Sequence, residues 1–374
     1  MLTRLRGRFV AAIAGIAFAV ILCLVQLGFQ SALYTSITRL YASMEADLFL
    51  ISPEYQSIVA RETIPDRRLY QALALPEVQS VAPIYMEQME WINPVNQYER
   101  FLLLLGFQPQ AGIFKLPGVS EHLQQIKQPD QILFDEDSRA EFGPIAAMFR
   151  KQGTVVATLA DRQVAVAGLF RLGASFANSG HIITSDANFL RLDPARRPGD
   201  IDIGLIRLRS GSNADAVRSA LAALLPGDVT VLTKQGFLDR EMNYWSHNLP
   251  IGFLFRASLV MSLIVGAVVV YQILYSGISD NLPEFATLKA VGYSDRRLFR
   301  VVLQEALILS VLGFIPGVLL AWGVYGIVQT VTFLPVSMSF EHVAGTYLLA
   351  LVMCIGAGAL AMRRLYAADP AEVF

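Results

Sequence analysis

The sequence predicts an α+β membrane protein in which four transmembrane helices carry a large mixed α/β extracytoplasmic domain between the first helix and the second. Two observations predict it. Four apolar runs, Phe9 to Phe29, Ala257 to Ile278, Ala306 to Val328 and Val343 to Met362, each hold 20 to 23 residues without an Asp, Glu, Lys or Arg, and a helix needs roughly 20 such residues to cross the hydrocarbon core. Between the first run and the second lie about 220 residues with the alternating polar and apolar pattern of a water-soluble domain. Hydrophobic residues make up 54% of the chain and charged residues only 16%, a balance that soluble proteins of this length rarely reach.

The resulting boundaries are residues 1–30 for the N-terminal segment and first helix, 31–250 for the outer domain, 251–278 for the second helix and 279–305 for an inner loop. The third helix covers 306–328 and the fourth 343–366, followed by a tail at 367–374. The net charge of −1 offers no basic field to nucleic acid, which is excluded as a partner. Both cysteines, Cys23 and Cys354, fall within predicted spans, so the outer domain is expected to rest on its own core rather than on disulfides. The first run follows Arg4, Arg6 and Arg8, but it is longer than a signal-peptide core and no small-x-small site follows it, so it reads as an uncleaved anchor.

Orientation comes from the basic residues of the short flanks, which are retained on the cytoplasmic side. Three arginines precede the first span. Lys289, Arg296, Arg297 and Arg300 lie between the second and third, Arg363 and Arg364 follow the fourth, and residues 329–342 have neither Lys nor Arg. Both termini and the 279–305 loop are therefore expected inside, with the large domain outside.

The outer domain reads as two strand-helix-strand halves around an insertion. The first half, about 45–108, has strands at Asp47–Ile51, Val78–Met86 and Phe101–Gly106 and a helix at Pro65–Ala74. The second, about 200–235, has a strand at Ile201–Leu208, a helix at Ala214–Leu225 behind the Ser212-Asn213 cap, and a strand at Val229–Leu232. These halves could close into one mixed sheet. Residues 109–199, richer in Gly, Pro and short strands, are expected to form an inserted lobe.

In the inner loop, Pro283 near a helix start and Glu284 in its first turn suit the unpaired N–H groups and positive end of a helix dipole, and Gly292 stops it. Phe285, Leu288 and Val291 then recur at three-residue spacing and form a short apolar ridge. Such a ridge either lies on the membrane interface or inserts into a groove on a cytoplasmic partner.

The wording of that segment, Glu284-Phe285-Ala286-Thr287-Leu288-Lys289-Ala290-Val291-Gly292, with Glu305-Ala306 and the terminal Asp369-Pro370-Ala371-Glu372, resembles the signature of the MacB/FtsX family of ABC transporter permeases. Further strings, among them Leu50-Ile51-Ser52-Pro53, Arg67-Arg68-Leu69-Tyr70-Gln71-Ala72-Leu73, Ser138-Arg139-Ala140-Glu141-Phe142-Gly143-Pro144 and Gly168-Leu169-Phe170-Arg171-Leu172-Gly173-Ala174-Ser175-Phe176, resemble the DevC type, the cyanobacterial branch of that family. The resemblance implies a bacterial, cyanobacterial inner-membrane permease of a tripartite exporter. It would work as a homodimer with a DevA-like ATPase, a DevB-like periplasmic membrane-fusion adaptor and, through the adaptor, a TolC-like channel. The cargo it implies is glycolipid. The alternative within the same family is an FtsX-like transducer that activates a cell-wall hydrolase and moves nothing.

The resemblance also implies that Glu284, Phe285, Leu288, Lys289, Ala290, Val291 and Gly292 couple the chain to its ATPase. Related chains carry an amphipathic elbow helix before the first span, where this one offers Met1 to Arg8; either that start is a shortened one or the ATPase docks mainly through residues 283–300. No Gly-x-x-x-x-Gly-Lys-Ser/Thr occurs, so ATP and Mg are expected on the partner and no cofactor on this chain. The spans hold no mid-depth ionisable residue of the kind an ion-coupled carrier uses.

Small residues allow close helix approach in lipid, and Gly15 and Gly28 are candidates for a dimer seam. Pro316 is expected to kink the third span. Trp91, Phe170 and Phe176 are candidates for contact with adaptor or cargo. No enzyme constellation survives inspection: His122, His181 and His247 show no metal spacing, Ser175 lacks the Gly-x-Ser-x-Gly elbow, and Asp135, Glu136 and Asp137 read as a solvated loop. The chain is therefore expected to be a non-catalytic subunit.

Overall fold

A computed structural model describes residues 2–110, 112–280, 284, 287–288, 291 and 293–367. The chain divides into two units, one of residues 33–249 with 333–335, the other of the remaining N-terminal and C-terminal helices.

The outer unit is built on a sheet of nine strands among the described residues. The last turns of helix α1 (Leu2–Ala42) lead into β1 (Leu48–Ile51), a short β2 (Ile64–Pro65), α2 (Asp66–Gln71), β3 (Val78–Ile92) and β4 (Glu99–Phe107). These are followed by β5 (Gln131–Asp135), α3 (Ile145–Gln152), β6 (Val155–Leu159), β7 (Arg162–Phe170), β8 (His181–Ser185) and α4 (Asp186–Leu192). The unit ends with β9 (Asp200–Ile201), β10 (Ile203–Leu208), α5 (Ala214–Leu224), β11 (Thr230–Thr233) and α6 (Lys234–Asn243).

The sheet order is β11-β1-β10-β3-β4-β8-β5-β7-β6. Its first four strands are the two expected halves interleaved: β10 lies between β1 and β3, and β1 between β10 and β11, all antiparallel. This is the ferredoxin-like split β-α-β arrangement. β1 is buried along its whole length, as a strand with neighbours on both edges and four consecutive apolar residues must be.

The segment 109–199 does not form a lobe with a sheet of its own. Its strands extend the same sheet: β8 runs parallel to β4 from Leu103–His181 to Phe107–Ser185, β5 joins β8 and β7, and β6 turns back to pair with β3 at Trp91–Leu159 and Ile92–Thr158. The last six strands thereby close on themselves. Closure removes an exposed edge and gives alternate residues of β7 and β6 a common interior, with Trp91, Phe134, Leu104, Val164, Val166 and Ile182 in one buried cluster.

Helix starts in this unit follow local chemistry. Asn213 Oδ1 accepts from the N–H groups of Asp215 and Ala216, Ser185 Oγ from that of Asn188, and Thr233 Oγ1 from that of Gly236, each satisfying an otherwise unpaired helix donor. Val217 and Leu221, one turn apart on α5, are its buried residues.

The second unit holds the N-terminal part of α1 with α7 (Pro250–Asp280), α8 (Asp295–Thr332) and α9 (Phe340–Ala367). Four helices in the chain are long and apolar enough to cross a membrane: Phe9–Ala42, Pro250–Ser279, Arg296–Val331 and Phe340–Met362. α8 continues as one helix through Pro316.

Candidate functional site

Within the helical unit, close approach is made by small residues. A Cβ on Gly313 would lie 2.6 Å from the Ile16 Cβ, and one on Gly317 2.8 Å from the Val20 Cβ. Two glycines four apart on α8 thus receive two branched side chains four apart on α1, the small-xxx-small mode of packing in lipid. Gly15 and Gly28, expected at a dimer seam, are occupied in the same way from inside the chain. Gly15 faces Val269, and Gly28 is buried against the ring of Tyr325, whose hydroxyl donates to the Leu24 carbonyl. The bundle's own packing uses both, so neither presents a small-residue face to a second copy. Between α7 and α9, Ala267, Val268, Tyr271, Val352, Gly356 and Leu360 line an apolar cleft of about 520 Å³.

In the inner loop, Phe285, Lys289, Ala290 and Gly292 lie outside the described residues. Glu284, Thr287 and Leu288 are helical. The Val291 N–H donates to the Thr287 carbonyl and the Tyr293 N–H to that of Leu288, both at 3.0 Å. Leu288 and Val291, two members of the expected ridge, are exposed.

In the outer unit, two of the three expected contact residues are core. Trp91 is fully buried, donates its indole N–H to the Phe142 carbonyl at 3.0 Å and packs on Phe134. Phe170 is buried at the end of β7. Phe176 is half-buried, and its N–H donates to Ser36 Oγ at 3.4 Å. The apolar surface of Trp91 is used inside the closed sheet, where alternate side chains of each strand share one face, whereas Phe170 lies on the face of its strand shared with Asp135.

The exposed apolar residues sit instead at the tip of the β3–β4 hairpin, where Val95, Tyr98 and Phe101 are 62%, 65% and 64% exposed. That tip is a built turn. Asn93 N–H donates to the Tyr98 carbonyl and Gln97 N–H to the Asn93 carbonyl, the Asn93 and Asn96 side chains accept from Val95 and Tyr98 N–H, and Gln97 takes a positive φ of 61°. The sequence signal was present in Asn93-Pro94 and Asn96-Gln97 between two strand patterns, a turn signature that carries two large apolar residues.

Asp135 is not part of a solvated loop. It is fully buried, and its carboxylate accepts the N–H groups of Leu172 at 3.0 Å, Gly173 at 2.9 Å and Asp137 at 3.2 Å, with His181 Nδ1 at 3.3 Å. Glu136 pairs with Arg150 and Arg171. Burial, then the nearby Asp135, raises the Asp137 carboxyl above its ordinary range. Arg39, in the last turn of α1, donates to the Leu172 carbonyl at 2.7 Å, so the Asp135 loop also holds the end of that helix.

Two other buried charge groups brace the unit. Asp202 accepts the Met86 N–H at 2.8 Å between Arg61 and Arg196, each 3.4 Å away; burial nonetheless raises its carboxyl, with the two cations opposing. Glu241, on α6, accepts the Tyr55 hydroxyl, which in turn bonds the hydroxyl of Tyr41 on α1. The three histidines of the outer unit each bond separately, and the described residues contain no group of His, Cys, Asp and Glu able to hold a metal ion.

A family model for the MacB-like periplasmic core domain matches residues 9–224, and one for the FtsX-like permease C-terminal region matches residues 256–370. No curated protein sequence matches the chain. Among solved structures, the periplasmic region of MacB from Actinobacillus actinomycetemcomitans is similar at 10% identity, over 53% of this chain and 94% of its own, with a TM-score of 0.36. The extracellular domain of the noncanonic ABC-type transporter YknZ from Gram-positive bacteria is similar at 13% identity, over 50% and 98%, with a TM-score of 0.34. A domain of a putative permease protein from Porphyromonas gingivalis is similar at 12% identity, over 52% and 90%, with a TM-score of 0.33. With the two family matches together covering both the outer domain and the C-terminal helices, the chain belongs to the MacB/FtsX family of permeases, the membrane subunits of ABC systems that work with an ATPase partner.

Proposed function

We propose that this chain is the DevC-type permease of a tripartite exporter in a cyanobacterial inner membrane. ATP and Mg bind to a separate DevA-like ATPase, two permease copies respond to its cycle, and their outer domains drive envelope-directed cargo, glycolipid by family resemblance, into a DevB-like adaptor and a TolC-like channel. Both termini and the 279–305 loop face the cytoplasm, as the distribution of Lys and Arg supports. The chain itself catalyses nothing and binds no cofactor. Coupling to the ATPase runs through Glu284, Phe285, Leu288, Lys289, Ala290, Val291 and Gly292.

The observation that carries this reading is that α1 does not stop where its apolar run stops at Phe29. It continues as helix to Ala42, and its last turns are bonded at Ser36, Arg39 and Tyr41 to the 171–178 loop and to Tyr55. A helix anchored by several hydrogen bonds at its end transmits displacement, which is what a permease without mid-depth ionisable groups in its spans needs. On the same reading, the adaptor meets the exposed hairpin tip at Val95, Tyr98 and Phe101, since exposed aromatic residues are favoured at protein interfaces.

The test is affinity capture of the tagged chain from its native membrane in mild detergent, with the co-purifying proteins identified by mass spectrometry. Recovery of an ABC ATPase together with a membrane-fusion adaptor supports the exporter. An ATPase with a cell-wall hydrolase and no adaptor replaces it with the FtsX-like transducer.

A further inference from the structure

Glu241 is buried without an obvious structural need. It lies on α6 with its side chain closed off from solvent, among the rings of Tyr41, Tyr55 and Phe237. Phe237 stacks on Phe49 of β1 at 4.6 Å between centroids and meets Tyr41 edge-on at 4.8 Å, so the surroundings are aromatic and dry. Tyr55 donates its single hydroxyl proton to Glu241 Oε1 at 2.6 Å, which leaves Tyr41 as the donor to Tyr55 at 2.9 Å. Among the described residues, Glu241 Oε2 has no hydrogen-bond partner in good geometry.

The groups that face this carboxyl are few. α1 contributes the Tyr41 hydroxyl, the segment after β1 contributes the Tyr55 hydroxyl, the Ile58 backbone and the Arg61 guanidinium, and the ring of Phe237 on α6, stacked on Phe49 of β1, packs against both tyrosines. Arg61 is shared: it pairs with Asp202 at 3.4 Å and Glu87 at 3.8 Å and donates to the Ile58 carbonyl. Its charge is thus already answered elsewhere. Burial pushes the Glu241 carboxyl up from 4.5 to about 7, against the opposing pull of the two tyrosines, Ile58 and Arg61. A carboxyl with one unpartnered oxygen in an aromatic pocket is at ease only when neutral.

Position gives this chemistry a consequence. The chain enters the outer unit at Leu33 and leaves it at Leu249, and Tyr41 and Glu241 lie near those two ends. Two residues beyond Glu241, α6 gives way to a π-helical turn over Tyr244–Asn248, a wide turn often found at functional sites.

We propose that Tyr41, Tyr55 and Glu241 form a proton-dependent latch between the end of α1 and α6, closed while the carboxyl is neutral and loosened when it ionises. The firmness with which the two ends of the outer unit are held together then follows the acidity of the compartment around that unit. The latch needs neither the adaptor nor the export reading, and it would act equally in a transducer.

The experiment is hydrogen exchange of the full chain in detergent micelles, read by mass spectrometry over residues 36–44 and 236–248 and corrected for intrinsic chemical exchange. In the wild type, the opening constant of these segments should rise about tenfold for each pH unit between 4.5 and about 7 and level off above that. Glu241→Gln, a neutral isostere, should abolish the rise. Tyr55→Phe, which removes a donor to the ionised form, should move the plateau to higher pH. A pH-independent wild type, a Glu241→Gln variant that keeps the wild-type profile, or a Tyr55→Phe variant with an unmoved plateau overturns the latch; if Glu241→Gln fails to fold, the wild-type and Tyr55→Phe profiles decide.

Discussion

Tyr55 and Glu241, 186 residues apart in sequence, share a 2.6 Å hydrogen bond inside the outer unit. Because the folded carboxyl titrates at about 7 and the unfolded one near 4.5, the folded chain holds the proton more tightly between those values. The contribution of this carboxyl to stability is therefore fully present below about pH 4.5, is lost as pH rises through the window, and is flat above about 7. The total change is on the order of 3 kcal/mol at about 1.4 kcal/mol per unit. Urea unfolding of the full chain in micelles, followed by tryptophan fluorescence at a series of pH values, checks it. The Glu241→Gln variant should lack this slope and be the more stable protein above pH 7.

Asp135→Ala should cost far more than a loop substitution. It strands the N–H groups of Leu172 and Gly173, which are buried and donate to this carboxylate's oxygens, at about 1–3 kcal/mol each. The same denaturation experiment reads the loss, and a change below about 0.5 kcal/mol, the range of ordinary surface substitutions, would contradict the role assigned to Asp135.

That role also marks where the sequence stopped being legible. The four spans were plain because twenty uncharged residues in a row admit few readings, and the strands of both halves were plain from their apolar, β-branched runs. What local pattern does not carry is who meets whom. β10 is inserted between β1 and β3 from more than a hundred residues downstream, and β6 closes onto β3, so the expected inserted lobe became part of one sheet. Asp135 looked solvated because its partners lie 37 and 38 residues away. Trp91 and Phe170 looked like contact residues because a buried and an exposed aromatic on a strand are spelled alike. Gly15 and Gly28 looked like a seam because small residues announce close packing without naming the neighbour.

Gly317→Leu should disrupt the helical unit. The space for its side chain is filled by Val20 of α1, and overpacking of this kind costs about 1–3 kcal/mol. Thermal unfolding of the full chain in micelles should show a lowered midpoint, whereas Gly323→Leu, at a position with nothing within 4 Å, should leave it unchanged.

Paired Tyr98→Ser and Phe101→Ser substitutions should separate contact from fold. Both side chains are largely exposed, so unfolding should change by no more than about 1 kcal/mol in total, while adaptor recovery in the affinity capture should fall at least about tenfold if two aromatic anchors are lost from the interface. Unchanged recovery would place the adaptor contact away from the hairpin tip.

Leu288→Glu tests the inner face. Leu288 and Val291 are exposed apolar residues, and a membrane-lying connector and a partner-docking ridge make different demands on them. A glutamate in a protein groove leaves a charge desolvated and unpaired, which costs several kcal/mol of association, so ATPase recovery should drop by about a hundredfold or more. A connector at the headgroup level would turn the glutamate toward water, and recovery would stay as it was. Membrane insertion, followed by carbonate-resistant pelleting, is expected to be unaffected in either case, because position 288 lies outside all four apolar spans. Loss of the ATPase with insertion intact therefore identifies the ridge as the coupling surface, and retention of the ATPase moves coupling elsewhere on the cytoplasmic side.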